Sequence, residues 1–438
     1  MLSSFRWLGL GVIALLGSTE DVIAGGFAIE DHSARQLGSA NAGAAAAAED
    51  ASTIADNPAG IALLEKPQIV ATGVFVDTRL PFTSSGSRFP NGSPLTGPGD
   101  DGGGFSLLPN LFATAPITQD LTIGFGVFPT FGLATNYASN WVGRYTALAT
   151  KLASIDFTPT VGYRVLPNVA LGVSPVFRYS QIRLANAVDF GSIGAGLGLP
   201  GGVPGGGDGT ADIRAHDWSM GFNLGVIAQP TDHTRIGIAY FHNNTATAKG
   251  SVRFSRPPLG DTIASATGAF FDASASGDIP YPDRVSLGVV HSITPALDVR
   301  AGFIWTQWDS FQTETIAFGN SLQPPAVMQE RWRNTVTFAL GGRYRVSSDW
   351  SLRAGLEYDE TPVPHAVNRD PRIPDSSKIE AAIGAGYALS ASTSVDFAYE
   401  HLFGATVRNV DVSAIGDQLN GSTRLSGDVF AIQITHSY

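Results

Sequence analysis

The chain contains no cysteine, which excludes disulfides and thiolate metal sites. Charge is scarce: 15% of residues are Asp, Glu, Lys or Arg, against about 25% in an average soluble domain. The acidic residues outnumber the basic ones, 38 to 27, and the basic ones form no run, so nucleic acid is excluded as a partner. Long apolar stretches are missing as well. Beyond the first two dozen residues nothing approaches the roughly 18 uninterrupted apolar residues of a membrane helix. Mean hydropathy is nonetheless slightly positive, at +0.08. What is abundant is glycine, with 51 of 438 residues. Low charge with middling hydropathy fits strands that have one apolar and one polar face.

Residues 1–24 read as a signal peptide. Arg6 supplies the positive start, Trp7 to Leu16 a short apolar stretch, and Val22-Ile23-Ala24 a cleavage site after Ala24. The apolar stretch is too short to span a bilayer as a helix.

From about residue 67 the chain alternates. Ile155, Phe157, Val161 and Tyr163 stand on one face, Asp156, Thr158, Thr160 and Gly162 on the other. Later segments repeat this: Trp218, Met220, Phe222 and Leu224 against Ser219, Gly221 and Asn223, and Phe338, Leu340 and Tyr344 against Gly341, Arg343 and Arg345. A soluble sandwich also alternates, but its exposed face is rich in Lys and Glu. Here the polar face is small and dotted with arginine, as the lining of a lumen would be. Aromatics such as Tyr163, Trp350, Tyr387 and Tyr399 gather near strand ends, like interfacial girdles. Connections alternate between short turns (166–168, 347–349, 390–392) and long loops (186–211, 250–277, 309–331, 361–376, 403–424). The fold class predicted is all-β: a transmembrane antiparallel β-barrel of about fourteen strands over 67–438, closed so that no edge is left unpaired. The last strand ends on Tyr438, and a terminal aromatic resembles the recognition signal read by the barrel-assembly machinery.

Residues 25–66 do not alternate. Ala42–Ala55 is alanine-rich and predicts one helix, which Asn57-Pro58 terminates. The segment reads either as a periplasmic tail or as a hatch, a plug within a barrel wide enough to leak without one.

Little points to catalysis. The eight histidines are scattered, and no Ser–His–acid set is evident around His401 or His436. The glycine-rich run 194–209 lacks the Lys-Ser/Thr and helix of a phosphate cradle. The expectation is a protein that is not an enzyme, with no cofactor and no metal site.

Several strings then point to one family. Gly25-Gly26-Phe27-Ala28-Ile29 through Gly38-Ser39-Ala40-Asn41-Ala42-Gly43 is similar to its hatch start. Asp56-Asn57-Pro58-Ala59-Gly60 carries its Asn-Pro-Ala motif. Leu108-Pro109-Asn110-Leu111 with Phe131-Gly132-Leu133-Ala134-Thr135, and Asp359-Glu360-Thr361-Pro362-Val363-Pro364 with Arg372-Ile373-Pro374-Asp375, follow in order. The sequence resembles the FadL/TodX family of outer-membrane transporters for long-chain fatty acids and other hydrophobic compounds. That resemblance implies a monomeric fourteen-stranded barrel in the outer membrane of a Gram-negative bacterium, among lipid and lipopolysaccharide, with an N-terminal hatch. It also implies capture of a hydrophobic small molecule by loops, an inner pocket, and lateral exit through a gap where the third strand kinks.

Carried onto this sequence, the hatch motif falls on Asn57, Pro58 and Ala59, and the kink on Pro129, Thr130, Phe131 and Gly132. A proline there removes a ladder donor and the glycine permits a bend; a plain strand end at the outer rim is the other reading of Pro129. Ile263, Phe270 and Phe271 form the strongest apolar cluster in a long loop, either for ligand capture or for loop packing. Arg178 and Arg183 are the candidates for a ligand carboxylate, though such arginines could instead brace the lumen through Asp156 and Glu357. Aromatic or alkane hydrocarbons are the alternative substrate, and a polar-solute porin the alternative of another class.

Overall fold

Alternation becomes a closed wall. A computed structural model describes residues 26–438, so the predicted signal peptide lies outside the described residues. Fourteen barrel strands follow one another, several of them broken into two segments. They are β1 (Gln68–Arg79), β2 (Phe105–Pro116), β3 (Leu121–Phe128 and Gly132–Asn136), β4 (Ala149–Leu166), β5 (Val169–Asp189), β6 (Asp208–Thr231) and β7 (Thr234–Asn243 and Ala246–Ser255). Then come β8 (Ala273–Ile279 and Arg284–Ser292), β9 (Leu297–Thr306 and Thr313–Phe318), β10 (Ala326–Gln329 and Thr335–Arg345), β11 (Trp350–Asp359), β12 (Lys378–Ala388), β13 (Thr393–Val412) and β14 (Gln418–Ser437). Each pairs antiparallel with its neighbours, and β1 closes on β14 from Gln68↔Ser437 to Arg79↔Ser426.

The two faces are inverted relative to a soluble protein. On β5, Ser174, Arg178 and Ser180 are buried toward the lumen, while Leu171, Val173 and Phe177 are exposed on the outside. Leu340 and Ile383 are more than 60% exposed. Burying such side chains contributes about 25 cal/mol per Å² of apolar area, and here lipid supplies the burial. No helix of the described residues is long and apolar enough to cross a membrane.

Two expectations need correcting. The alanine-rich segment does not form one helix over 42–55. It breaks into α2 (Ala44–Ala47) and α3 (Thr53–Asp56), following α1 (Ala34–Leu37). Ala48 takes a left-handed conformation, φ 46°, so the chain folds back on itself and fits the lumen. Second, 403–424 is mostly not loop. After an irregularity between Phe403 and Thr406, β13 and β14 pair again as far as Val412↔Gln418. Polar side chains above the membrane had hidden those strands, because alternation is legible only where one face meets lipid.

Candidate functional site

Residues 27–64 fill the lumen. Asn57 holds this hatch to the wall: its Nδ2 donates to the Ala45 carbonyl at 2.7 Å and to Val226 O and Ile238 O at 3.2 and 3.3 Å, and its Oδ1 accepts from Ala59 N at 3.0 Å. Pro58 opens the 3-10 turn Pro58–Leu63, where its missing N–H costs nothing. The wall is glycine at this height because the hatch backbone lies against it. A Cβ on Gly225 would stand 1.9 Å from Asn57 Oδ1, and one on Gly172 would stand 2.2 Å from the Pro58 carbonyl carbon.

Ion pairs tie down the rest. Arg35 bonds Asp50 within the hatch and Asp396 on β13 (3.1 and 2.8 Å). Glu49 accepts from Arg300 on β9, at 2.9 Å, and from Arg343 on β10. Burial alone would push the Glu49 carboxyl up; Arg300, Arg343 and Arg353 outweigh it and hold it well below the usual carboxylate range. On β14, Gln433 accepts from Ser33 Oγ at 2.7 Å and donates to Asp50 at 2.7 Å.

The wall is open beside β3. Its first segment pairs with β2 only from Leu111↔Val127 to Pro116↔Thr122, and its second pairs with β4 alone, Gly132↔Ala153 to Asn136↔Ala149. Between them Pro129, Thr130 and Phe131 leave the ladder, so the upper half of β2 has no partner on that side. A cavity of about 620 Å³ occupies the gap. Ile29 of the hatch, Ser154 and Gln433 line it from the lumen; Pro109, Ile432 and Ile434 line it from the lipid side.

The hatch is stitched to this kink. Ile29 N donates to Thr130 O (2.8 Å), Gly132 N to Phe27 O (2.9 Å), and the His32 ring bonds Pro129 O at 3.0 Å. Phe131 stacks on Tyr281, with ring centroids 4.6 Å apart, and the Arg178 guanidinium lies 4.6 Å from the Phe131 centroid. Phe27 sits in a nest of Tyr281, Trp308, Phe311 and Trp332. Above it a smaller apolar cavity, about 120 Å³, is lined by Leu152, Ile182, Ile213 and Phe311. Phe27 borders that upper cavity, and Leu133 borders both.

Of the residues singled out from sequence, Pro129 to Gly132 and Arg178 thus come together with the hatch. Asn57, Pro58 and Ala59 sit against β5 and β6. Arg178 is committed to Asp156 through two bonds of 2.7 Å and to Asn243 at 2.9 Å, which is the bracing role. Arg183 is not in the lumen at all: five positions from Arg178, an odd offset, it points outward and pairs with Asp212 at 3.0 Å. Ile263 is fully buried within the loop helix α4 (Pro258–Thr267), and Phe270 packs edge-on against Phe190. Neither these two nor the half-exposed Phe271 lines either cavity. Ile29 and Leu133 lie in the strings that carry the family resemblance but were not singled out as site residues, and Gln433 carried no signal; only the fold brings the three to the gap.

The family described as outer membrane protein transport protein (OMPP1/FadL/TodX) matches residues 15–438. The chain belongs to the FadL/TodX family. It is accordingly an outer-membrane barrel of a Gram-negative bacterium, in a family of transporters for hydrophobic compounds rather than of enzymes. Among FadL/TodX relatives, outer membrane protein P1 of Haemophilus influenzae is 27% identical over 97% of this chain and 98% of its own length. A long-chain fatty acid transport protein of Escherichia coli is 26% identical over 92% of this chain and 93% of its own. The crystal structure of a Pseudomonas aeruginosa FadL homologue superposes with TM-score 0.86 at 27% identity, covering 94% of this chain and 99% of that one. The Pseudomonas putida toluene transporter TodX, at 18% identity and TM-score 0.71 over 95% and 100% of the two chains, shares the fold.

In this FadL/TodX barrel the hatch should respond to pH. Burial pushes the Asp56 carboxyl up to about 8, Arg284 opposing it and Glu30, Asp50 and Asp31 adding to it. Burial likewise raises Glu30, again against Arg284. A carboxyl whose folded pKa is raised favours the packed state most at low pH, and that contribution is lost as pH rises from about 4 through about 8. Glu49, held low, stays ionised across the upper part of that window. Channel openings in planar bilayers are therefore expected to be more frequent at pH 9 than at pH 6; equal or fewer openings at pH 9 would contradict this.

Proposed function

We propose that this barrel takes up long-chain fatty acids or similar hydrophobic molecules passively, by loop capture, an inner pocket, and lateral exit into the membrane through the gap beside β3. The carrying observation is the 620 Å³ cavity, bordered by hatch residues on one side and lipid-facing residues on the other. In this reading residues 25–66 act as the hatch and 67–438 as the barrel. Rearrangement of the hatch near Asn57, together with its bonds to the kink, joins the upper cavity to the gap. Each buried methylene contributes roughly 0.8 kcal/mol, so an apolar path concentrates ligand without an energy source. Sideways exit keeps the chain out of periplasmic water.

The fatty-acid reading draws on the 26–27% identical relatives. One observation favours aromatic or alkane hydrocarbons instead: Arg178, beside the kink, already has its carboxylate in Asp156. Calorimetry of the purified protein with oleate and with toluene separates the two. Oleate alone is the expected ligand; toluene alone would establish the hydrocarbon reading. Binding of neither, with steady conductance for polar solutes, would replace both with a porin.

A further inference from the structure

The outer wall carries a band of positive charge. On β5 the outward side chains from Val169 to Tyr179 are mainly apolar, spanning about 25 Å of bilayer at a rise of about 3.3 Å per residue and a tilt of about 40°. Tyr179 and Trp218 on β6 lie side by side there, ring centroids 5.1 Å apart, with Phe157 of β4 beside Trp218 at 5.8 Å, as an aromatic girdle. Just above them the outward positions turn basic. Lys151 of β4 stands opposite Arg183 of β5, and Arg183 stands opposite Arg214 of β6. On β7, Lys249 faces His216 and Arg253 faces Asp212.

Side chains directly opposite on neighbouring strands have Cβ atoms about 5 Å apart, and like charges there repel. Three cations in file require counter-charge. Asp212 supplies one carboxylate, 3.0 Å from Arg183 and 3.1 Å from Arg214. Two further acids stand on this outer face: Asp278, bonded to Thr247 at 2.8 Å, and Asp272, which lies next to Arg253 just past the Val252↔Ala273 pair and accepts from Phe254 N at 2.8 Å. Lys151, Lys249 and Arg253 make no ion pair among the described residues. The chain as a whole is strongly acidic, with net charge −11, so the local excess is no reflection of composition. At two other places on the outer wall the cations meet a carboxylate: Asp428 lies between Arg79 and His401, and Asp283 beside His242.

The height matters. In an outer membrane the layer just beyond the hydrocarbon of the outer leaflet holds the phosphates of lipopolysaccharide, and guanidinium groups pair with phosphate oxygens through two parallel bonds. We propose that the row Lys151–Arg183–Arg214, extended by Lys249 and Arg253, is a docking site on the outer wall for the phosphate groups of lipopolysaccharide. The lipid's phosphates complete the charge balance that Asp212 begins, and its acyl chains cover the aromatic girdle below.

The test uses the full-length protein in detergent, titrated with diphosphorylated lipid A and with its dephosphorylated form by native mass spectrometry. Wild type should bind the phosphorylated lipid at least tenfold more tightly; equal binding overturns the proposal without any variant. A cation beside an anionic lipid surface is worth roughly fivefold in binding. The K151Q/R183Q/R214Q variant, its folding checked by heat-modifiable gel migration, should therefore lose at least about tenfold in lipid A affinity, with R79Q unchanged. A smaller loss overturns the proposal. So does loss of oleate binding with lipid A binding intact, which would make the row a capture site for substrate carboxylates.

Discussion

Gly132→Val is expected to stop uptake while leaving the barrel folded. A Cβ at this position would stand 2.8 Å from Ile29 Cδ1, the hatch side chain that lines the gap. Valine adds two methyl groups beyond that Cβ, directed at the passage between lumen and wall opening. It also favours extended backbone, so it stiffens the strand where the kink needs freedom. Crowding of this kind typically costs about 1–3 kcal/mol, little against a wall whose strand segments all belong to one continuous sheet. The measurement is uptake of labelled oleate by cells carrying the variant, with heat-modifiable migration reporting the barrel. Uptake should fall to the background of cells lacking the protein. Normal uptake by a folded variant would remove lateral exit from the mechanism.

Arg178→Ala should produce the largest loss of stability. Its removal leaves Asp156 buried, 2% exposed, with Thr130 Oγ1 as its remaining side-chain donor. Breaking a buried pair by deleting one partner costs about 3–5 kcal/mol. The effect also reaches the kink, because Phe131 loses the guanidinium lying over its ring and Thr130 hangs on Asp156. Denaturant unfolding of the variant measures the loss. The double variant R178M/D156N, which leaves no bare charge, should recover most of it. Oleate and toluene binding should decline together in R178A. A selective loss of oleate would show that the arginine meets the ligand carboxylate, and the bracing role would fall.

These outcomes bear on how much the sequence alone could say. Barrel strands were legible because lipid on one face and lumen on the other impose a period of two for long stretches. The kink at Pro129 to Gly132 is read from the family resemblance rather than from proline alone, since Pro159 and Pro175 stand within paired strands. The unpaired half of β2 was not legible: a missing partner is a fact about two distant segments, and Pro109 looks like any strand residue. Arg183 could have been separated from Arg178 by parity alone. The hatch was misread as one helix because alanine propensity is weak beside the demands of a lumen, where Ala48 must turn left-handed. Of the two readings of the apolar loop cluster, capture or packing, Ile263 and Phe270 follow the second, because both are used in packing the loop itself.

The contacts of Gln433 carry a consequence for the order of assembly. One side chain on the final strand receives Ser33 and grips Asp50, partners some 400 positions earlier in the chain. The seam between β1 and β14 closes at the same height, with Thr72 opposite Gln433. The first part of the chain, already held by Asn57 against β6 and by Glu49 against β9 and β10, therefore gains its last hold only when the final strand arrives. Contacts so remote along the chain are slow to form, and a chain arrested before its final strand has an open seam and a plug without its Gln433 contacts. Closing the seam and completing the plug's contacts are thereby tied to one strand, the last to be made.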